Sequence, residues 1–169
     1  MTSAIVVADT SVLINFLRID RMDLIGRHPK RFLATDHVGA EITSSYPEEQ
    51  ERYQAAVASG LLDTCSVVDP EEVTLFLKLG PGQQLGAGEC SAIAVAIRRR
   101  YPIAIDDNRA IKRAIREVGA KLEVVRTTDL MVSLIRAGIL DVASADRIKD
   151  DWAQYHRFKI KADSFQELL

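Results

Sequence analysis

Short apolar runs recur along this chain with helix-like stretches between them. Ala-Ile-Val-Val-Ala occupies 4–8, Arg-Phe-Leu-Ala-Thr 31–35, Thr-Cys-Ser-Val-Val 64–68, Pro-Ile-Ala-Ile 102–105 and Leu-Glu-Val-Val 122–125. Runs this short, and mostly rich in Val and Ile, suit strands buried on both faces. The run at 64–68 is the least apolar and reads as a sheet edge. Strands that alternate with helices pair in parallel, because each crossover already contains its helix. The expected fold class is therefore α/β, with a central, mainly parallel sheet covered on both faces.

The segments between the runs carry helix signals. Asp9-Thr10-Ser11 offers an N-cap, and Val12, Leu13, Phe16 and Leu17 form an apolar stripe behind it. A short helix is expected over Arg21–Arg27, closed near Pro29. Asp36 can cap a helix through His37–Ser44, and Pro47 starts a polar one that ends at Gly60. Asp69-Pro70-Glu71-Glu72 is a helix start. Gly80 to Gly88 reads as a surface loop, because strand and helix patterns continue on both sides. Further helices are expected over 89–100, over 108–118 up to Gly119, and from the Thr127-Thr128-Asp129 cap to Gly138. Residues 141–169 read as a C-terminal helical extension. The whole of 1–169 fits one domain.

Composition removes several function classes. The 47% hydrophobic and 27% charged content is that of a globule with a core. A net charge of −2 carries no global basicity, which argues against a passive nucleic-acid coat. Cys65 and Cys90 are too few and too far apart for a zinc site, and are expected to be buried and reduced. The absence of an n-region with an h-region behind it, and of any run of about 18 apolar residues, predicts a cytoplasmic protein.

Chemistry in an open parallel sheet collects at the carboxyl ends of its strands. Asp9 is the first residue past its strand, and Asp107 is the second past another, with Asp106 before it. Glu89 lies in a helix first turn, where the macrodipole helps keep it ionised. Glu41 lies about one and a half turns into a helix that follows a strand. Carboxylates that converge without a cation repel, so such a set suits Mg²⁺ or Mn²⁺. An ion there activates water and shields a phosphodiester. Asp9, Glu89 and Asp107 are the candidate metal ligands, and Glu41 is the candidate for the attacking water. Thr10, Ser11 and Asp106 are possible support, and Thr127 and Asp129 stand where a fourth ligand would fall. Each of these residues also has a plain reading as a helix cap or a solvated helix residue.

Arg98, Arg99 and Arg100 form one basic cluster, and Arg109, Lys112, Arg113 and Arg116 another. Either is a solvated helix face or a rim for RNA phosphates. Trp152, Tyr155 and Phe158 are expected to pack rather than stack on bases. Two other functions fit an acidic rim. A binding module would grip a basic partner or RNA without cutting it. A phosphotransfer domain would phosphorylate Asp9, but Ser11 stands where the dehalogenase type needs a second Asp, and Arg126 follows the last strand where the receiver type needs a Lys. No Ser-His-Asp pattern or P-loop is present.

Four segments together resemble the PIN-domain ribonuclease family: Ile-Val-Val-Ala-Asp-Thr-Ser-Val-Leu-Ile around Asp9, Val-Gly-Ala-Glu-Ile around Glu41, Leu-Gly-Ala-Gly-Glu-Cys-Ser-Ala-Ile-Ala around Glu89, and Ile-Ala-Ile-Asp-Asp-Asn-Arg-Ala around Asp107. They look most similar to the VapC-like branch, toxins of type II toxin–antitoxin pairs. The resemblance implies a three-layer α/β/α fold and Mg²⁺- or Mn²⁺-dependent RNA cleavage, with Asp9, Glu41, Glu89 and Asp107 as the acidic set. Asp107 is preferred to Asp106 because the family's acid stands three residues before a small apolar residue, here Ala110. The resemblance further implies homodimers and a small antitoxin whose segment enters the acidic groove. The sequence departs from the family at Arg126-Thr127, where relatives often have Gly-Thr.

Overall fold

The computed structural model describes residues 4–169. Its five strands are β1 (Ile5–Ala8), β2 (Arg31–Thr35), β3 (Asp63–Cys65), β4 (Ile103–Ala104) and β5 (Val124–Val125). They lie in the order β3-β2-β1-β4-β5 and every pair is parallel. Nine α-helices among the described residues flank the sheet: α1 (Thr10–Arg18), α2 (Met22–Arg27), α3 (Asp36–Ser45), α4 (Pro47–Ala58), α5 (Pro70–Lys78), α6 (Ala87–Arg99), α7 (Asn108–Val118), α8 (Thr127–Arg136) and α9 (Val142–Tyr155). Short 3₁₀ turns cover Gly119–Lys121 and Phe165–Leu168. The expected three-layer α/β/α architecture is the one observed.

The central strand is dry over its last three residues. Val6, Val7 and Ala8 have no exposure, and they join Phe16, Phe32, Ile93 and Ile103 in one continuous core. Val7 pairs with Leu33 on one side and Ile103 on the other, so β1 is sealed at both edges. Strand β3 is shorter than its apolar run. Its last partner, Thr35, opposes Cys65, and the partner chain then turns into α3. Residues 66–68 therefore have no backbone to pair with, and Val68 is left exposed.

Three helix starts differ from expectation: α6 begins at Ala87, inside the stretch read as a loop, and two others differ in their caps. Thr35, not Asp36, caps α3, its hydroxyl accepting from Val38 N at 3.1 Å. Arg126 occupies the cap position of α8, and Asp129 reaches back to accept from Arg126 N at 2.8 Å. The C-terminal segment docks through aromatic packing. The Trp152 ring has no exposure and meets Phe16 and Phe158 edge to face, at centroid distances of 5.6 and 5.4 Å. Tyr155 departs from the packing expectation: it lies near the end of α9 and is 66% exposed. Cys90 is buried, Cys65 only half so, and both are free thiols. Among the described residues no helix is long and apolar enough to cross a membrane.

Candidate active site

The strand order places a topological switch between β1 and β4. From β1 the chain moves outward to β2 and β3, then returns across the sheet to β4 and outward again to β5. Loops leaving β1 and β4 thus diverge, and a crevice opens beyond their carboxyl ends. Asp9 N donates to Ala104 O at 2.9 Å, carrying the ladder one residue past β1 and fixing Asp9 beside the end of β4. Asp9 also caps α1, its Oδ2 accepting from Ser11 N at 3.1 Å.

Asp9 is only 1% exposed, and its Oδ1 is buried without a hydrogen-bond partner. Burial pushes its carboxyl up to about 6; hydrogen bonds from Ser11 oppose this and the charge of Glu41 adds to it. A carboxylate oxygen with nothing to bond is costly to bury. Thr10 Oγ1 beside it is likewise buried without a well-formed bond.

The other acids approach from three further elements. Glu41 comes from the middle of α3, and its pKa is raised by burial and by Glu89. Glu89 is in the first turn of α6. Its Oε2 accepts from Gly86 N at 2.9 Å, and its pKa is raised by burial and by the charges of Asp9 and Asp107. A Cβ added at Gly86 would lie 3.8 Å from Glu41 Oε2 and 3.9 Å from Glu89 Oε2, so the two carboxylates flank one glycine. Asp107 caps α7, its Oδ1 accepting from Arg109 N at 2.8 Å and Ala110 N at 3.1 Å. These four acids form a chain of mutual repulsion: Asp9 with Glu41, Glu41 with Glu89, and Glu89 with both Asp9 and Asp107.

Among the described residues no three His, Cys, Asp or Glu side chains are gathered tightly enough to enclose an ion as they stand. The cause is visible in their bonds. Glu89 and Asp107 are turned onto backbone N–H groups of their own helix starts, which spreads like charges apart. The donor set still fits a hard divalent cation. It is all oxygen, it is anionic, and the buried Asp9 Oδ1 has no other partner.

A match to the PIN-domain family spans residues 5–167. The chain belongs to the PIN-domain family. PIN domains are generally nucleases, so the fold is of nuclease type. Comparison with curated proteins gives no significant match.

Asp106 has a different environment from Asp107 in this PIN domain. Its Oδ1 accepts from Thr127 N at 3.0 Å, and its Oδ2 from Thr127 Oγ1 at 2.6 Å and Asn15 Nδ2 at 3.2 Å. Ser11 Oγ accepts from Asp106 N at 3.0 Å, so Ser11 links Asp9 to Asp106. The hydroxyl of Thr127 is fully buried and spent on Asp106, while Asp129 is exposed and spent on the start of α8. Neither stands free in the crevice as a fourth ligand.

The two basic clusters separate. Helix α6 starts at the acids and runs away from them, so Arg98 is about 13 Å farther along its axis than Glu89. Arg99 Nε and Nη2 clamp the buried Glu72 at 2.6 and 3.2 Å, Arg98 faces Glu71 at 3.8 Å, and Arg100 ends the helix with φ 59°. This corrects the expectation of a phosphate rim there: helix geometry carries these residues to the opposite pole of the sheet. Arg113 is tied to Lys78 O at 3.2 Å and Glu117 at 3.1 Å. Arg109 and Lys112 remain exposed on α7, with Arg109 3.8 Å from Asp107.

Three residues outside the candidate site set now matter. Asn15 is a buried amide bonded to Ser11 O, Asp106 and Thr127. Its signal was a polar residue within an apolar stripe. Arg126 donates to Asp106 O at 3.2 Å and to Asn108 Oδ1 at 2.5 Å. Gly88 packs against Glu41; in the sequence it reads as the last residue of the loop from Gly80 to Gly88, whereas it lies in the first turn of α6.

Proposed function

We propose that this PIN domain is a divalent-metal-dependent endoribonuclease acting in the cytoplasm. The observation that carries the reading is the buried Asp9 carboxylate, with Oδ1 unbonded and three further acids repelling around it. Such a group is unfavourable unless a cation completes it. Asp9, Glu89 and Asp107 would hold Mg²⁺ or Mn²⁺. The bound ion would supply water activation and charge neutralisation at the phosphodiester.

The chain's own groups supply the rest. Glu41, with a pKa raised by burial and by Glu89, is suited to take a proton from the attacking water near neutral pH. Arg109 and Lys112 present cations at the same rim for the RNA backbone. Ser11 and Asn15 fix the strand ends that bear Asp9 and Asp107.

The test is cleavage of structured RNA by the purified protein with Mg²⁺, with Mn²⁺ and with excess chelator. Activity that survives the chelator, or that survives in Asp9→Asn, overturns the proposal. Within the family we further propose the toxin of a type II pair, a homodimer neutralised by a small antitoxin; the resemblance of the four acidic segments to the VapC-like branch supports this. Growth arrest on expression, relieved by a small co-expressed protein that binds the acidic groove, is the corresponding observation. Growth unaffected by active enzyme removes the toxin assignment alone.

A further inference from the structure

Glu41 differs from the other acids in how it is held. Asp9 and Asp107 sit at helix caps directly beyond strands, and Glu89 is bonded to its own helix start. Glu41 projects from the middle of α3 on a flexible side chain and has no such anchor within its helix. Its position is set from outside, by α6. A Cβ built at Gly88 would fall well inside van der Waals contact of Glu41 Oε2, would lie 3.3 Å from Glu41 Cδ, and would approach Thr10 Oγ1 to 3.4 Å. The space that any other residue would fill at position 88 is occupied by the Glu41 carboxylate. Thr10 Oγ1, 3% exposed and without a well-formed bond, closes the other side.

We propose that Gly88 and Thr10 form a seat for the Glu41 carboxylate, which makes Gly88 a positioning residue of the acidic site. The inference rests on the nuclease reading only for what the seat is for; the seat itself is a matter of packing. Helix α6 tolerates a methyl group at this position as far as its backbone is concerned, since Gly88 is helical and the nearest obstacle is the far end of a long side chain. Alanine also favours the helix over glycine. Gly88→Ala should therefore leave the fold as stable as before or slightly more so, while driving the Glu41 carboxylate off its seat. A glycine needed only for the fold would show the opposite pattern, with lost stability.

The experiment compares wild type, Gly88→Ala, and Gly88→Ala combined with Glu41→Asp. The measurements are thermal melting, Mn²⁺ binding by calorimetry, and the ¹³C resonance of the Glu41 side-chain carboxyl in metal-free protein, assigned by its loss in Glu41→Gln. The seat requires an undiminished melting temperature, a displaced Glu41 resonance, and Mn²⁺ affinity weakened about 10–100-fold in Gly88→Ala. Shortening the acid by one methylene in that background should recover part of the affinity, because the retracted carboxylate no longer meets the new methyl group. An unmoved resonance with unchanged affinity overturns the proposal, and so does a double variant no better than Gly88→Ala. Should Gly88→Ala not fold, Thr10→Val removes the seat's hydroxyl at nearly constant volume and is read by the same resonance and affinity. Wild type that neither binds Mn²⁺ nor cuts RNA defeats the nuclease reading, and the carboxyl resonance then decides the seat alone.

Discussion

The two ends of α6 carry opposite charges and are held in opposite ways. At its start Glu89 stands among like charges, with Asp9, Glu41 and Asp107 all pressing on one crevice. At its end Arg99 is matched to the buried carboxylate of Glu72 by two hydrogen bonds. One end is electrostatically frustrated and the other is satisfied, although they are a dozen residues apart and share a helix. Groups that oppose folding persist where they serve chemistry, and groups that are paired serve the fold. The acid end is thus where activity is to be lost by mutation, and the arginine end is where stability is to be lost.

The sharpest break of this contrast is Asp9→Asn. Removing the charge while keeping the shape should reduce RNA cleavage more than about 100-fold, on the several kcal/mol that metal coordination supplies. Circular dichroism should show the fold intact, and a fold lost with the activity would mean Asp9 was structural.

Next in size is the pH dependence of stability. Folding raises the Asp9 carboxyl from 3.8 to about 6. Between those values the folded protein holds a proton there that the unfolded chain has released. Stability from this group is therefore present below about pH 4 and lost as pH rises through 6, by up to about 3 kcal/mol. In chelator, wild type should gain stability relative to Asp9→Asn as pH falls from 7 to 4. Urea titrations at several pH values measure the difference, and parallel curves for the two proteins would remove the inferred burial cost.

At the other pole, Arg99→Ala strands the Glu72 carboxylate, which is 3% exposed. The expected cost is about 2 kcal/mol of stability with specific activity unchanged. A loss of kcat without a loss of stability would erase the distinction between the two ends. The smallest effects belong to exposed cations. Arg109→Ala should raise KM for RNA a few-fold, within about 1 kcal/mol, and flatten the salt dependence of binding by roughly 0.7 in the logarithmic slope. Arg98→Ala and Arg100→Ala should change neither, because they face away from the acids.

Much of this architecture is legible in the sequence because its signals are local. Each buried strand announces itself as a short apolar run, and Asp9 and Asp107 are caps read from their position just beyond such runs. What escaped is what depends on partners far along the chain. Whether 66–68 joins the sheet depends on where β2 ends, which the local pattern does not state. Arg98 and Arg109 look equivalent as basic clusters, yet helix length sends one to the far pole. Asp106 and Asp107 are neighbours in sequence and differ only in what meets them, Thr127 and Asn15 on one and the start of α7 on the other. Gly88 is the extreme case, since its role lies in an absent Cβ facing residue 41.

The Trp152 indole donates from Nε1 to Asn15 O at 2.8 Å, and Asn15 in turn holds Asp106. This is the chain's single tryptophan, so its fluorescence is an optical gauge of the acidic face with no label added. Red-shifted emission on unfastening Asn15, as in Asn15→Ala, would report the crevice loosening from behind.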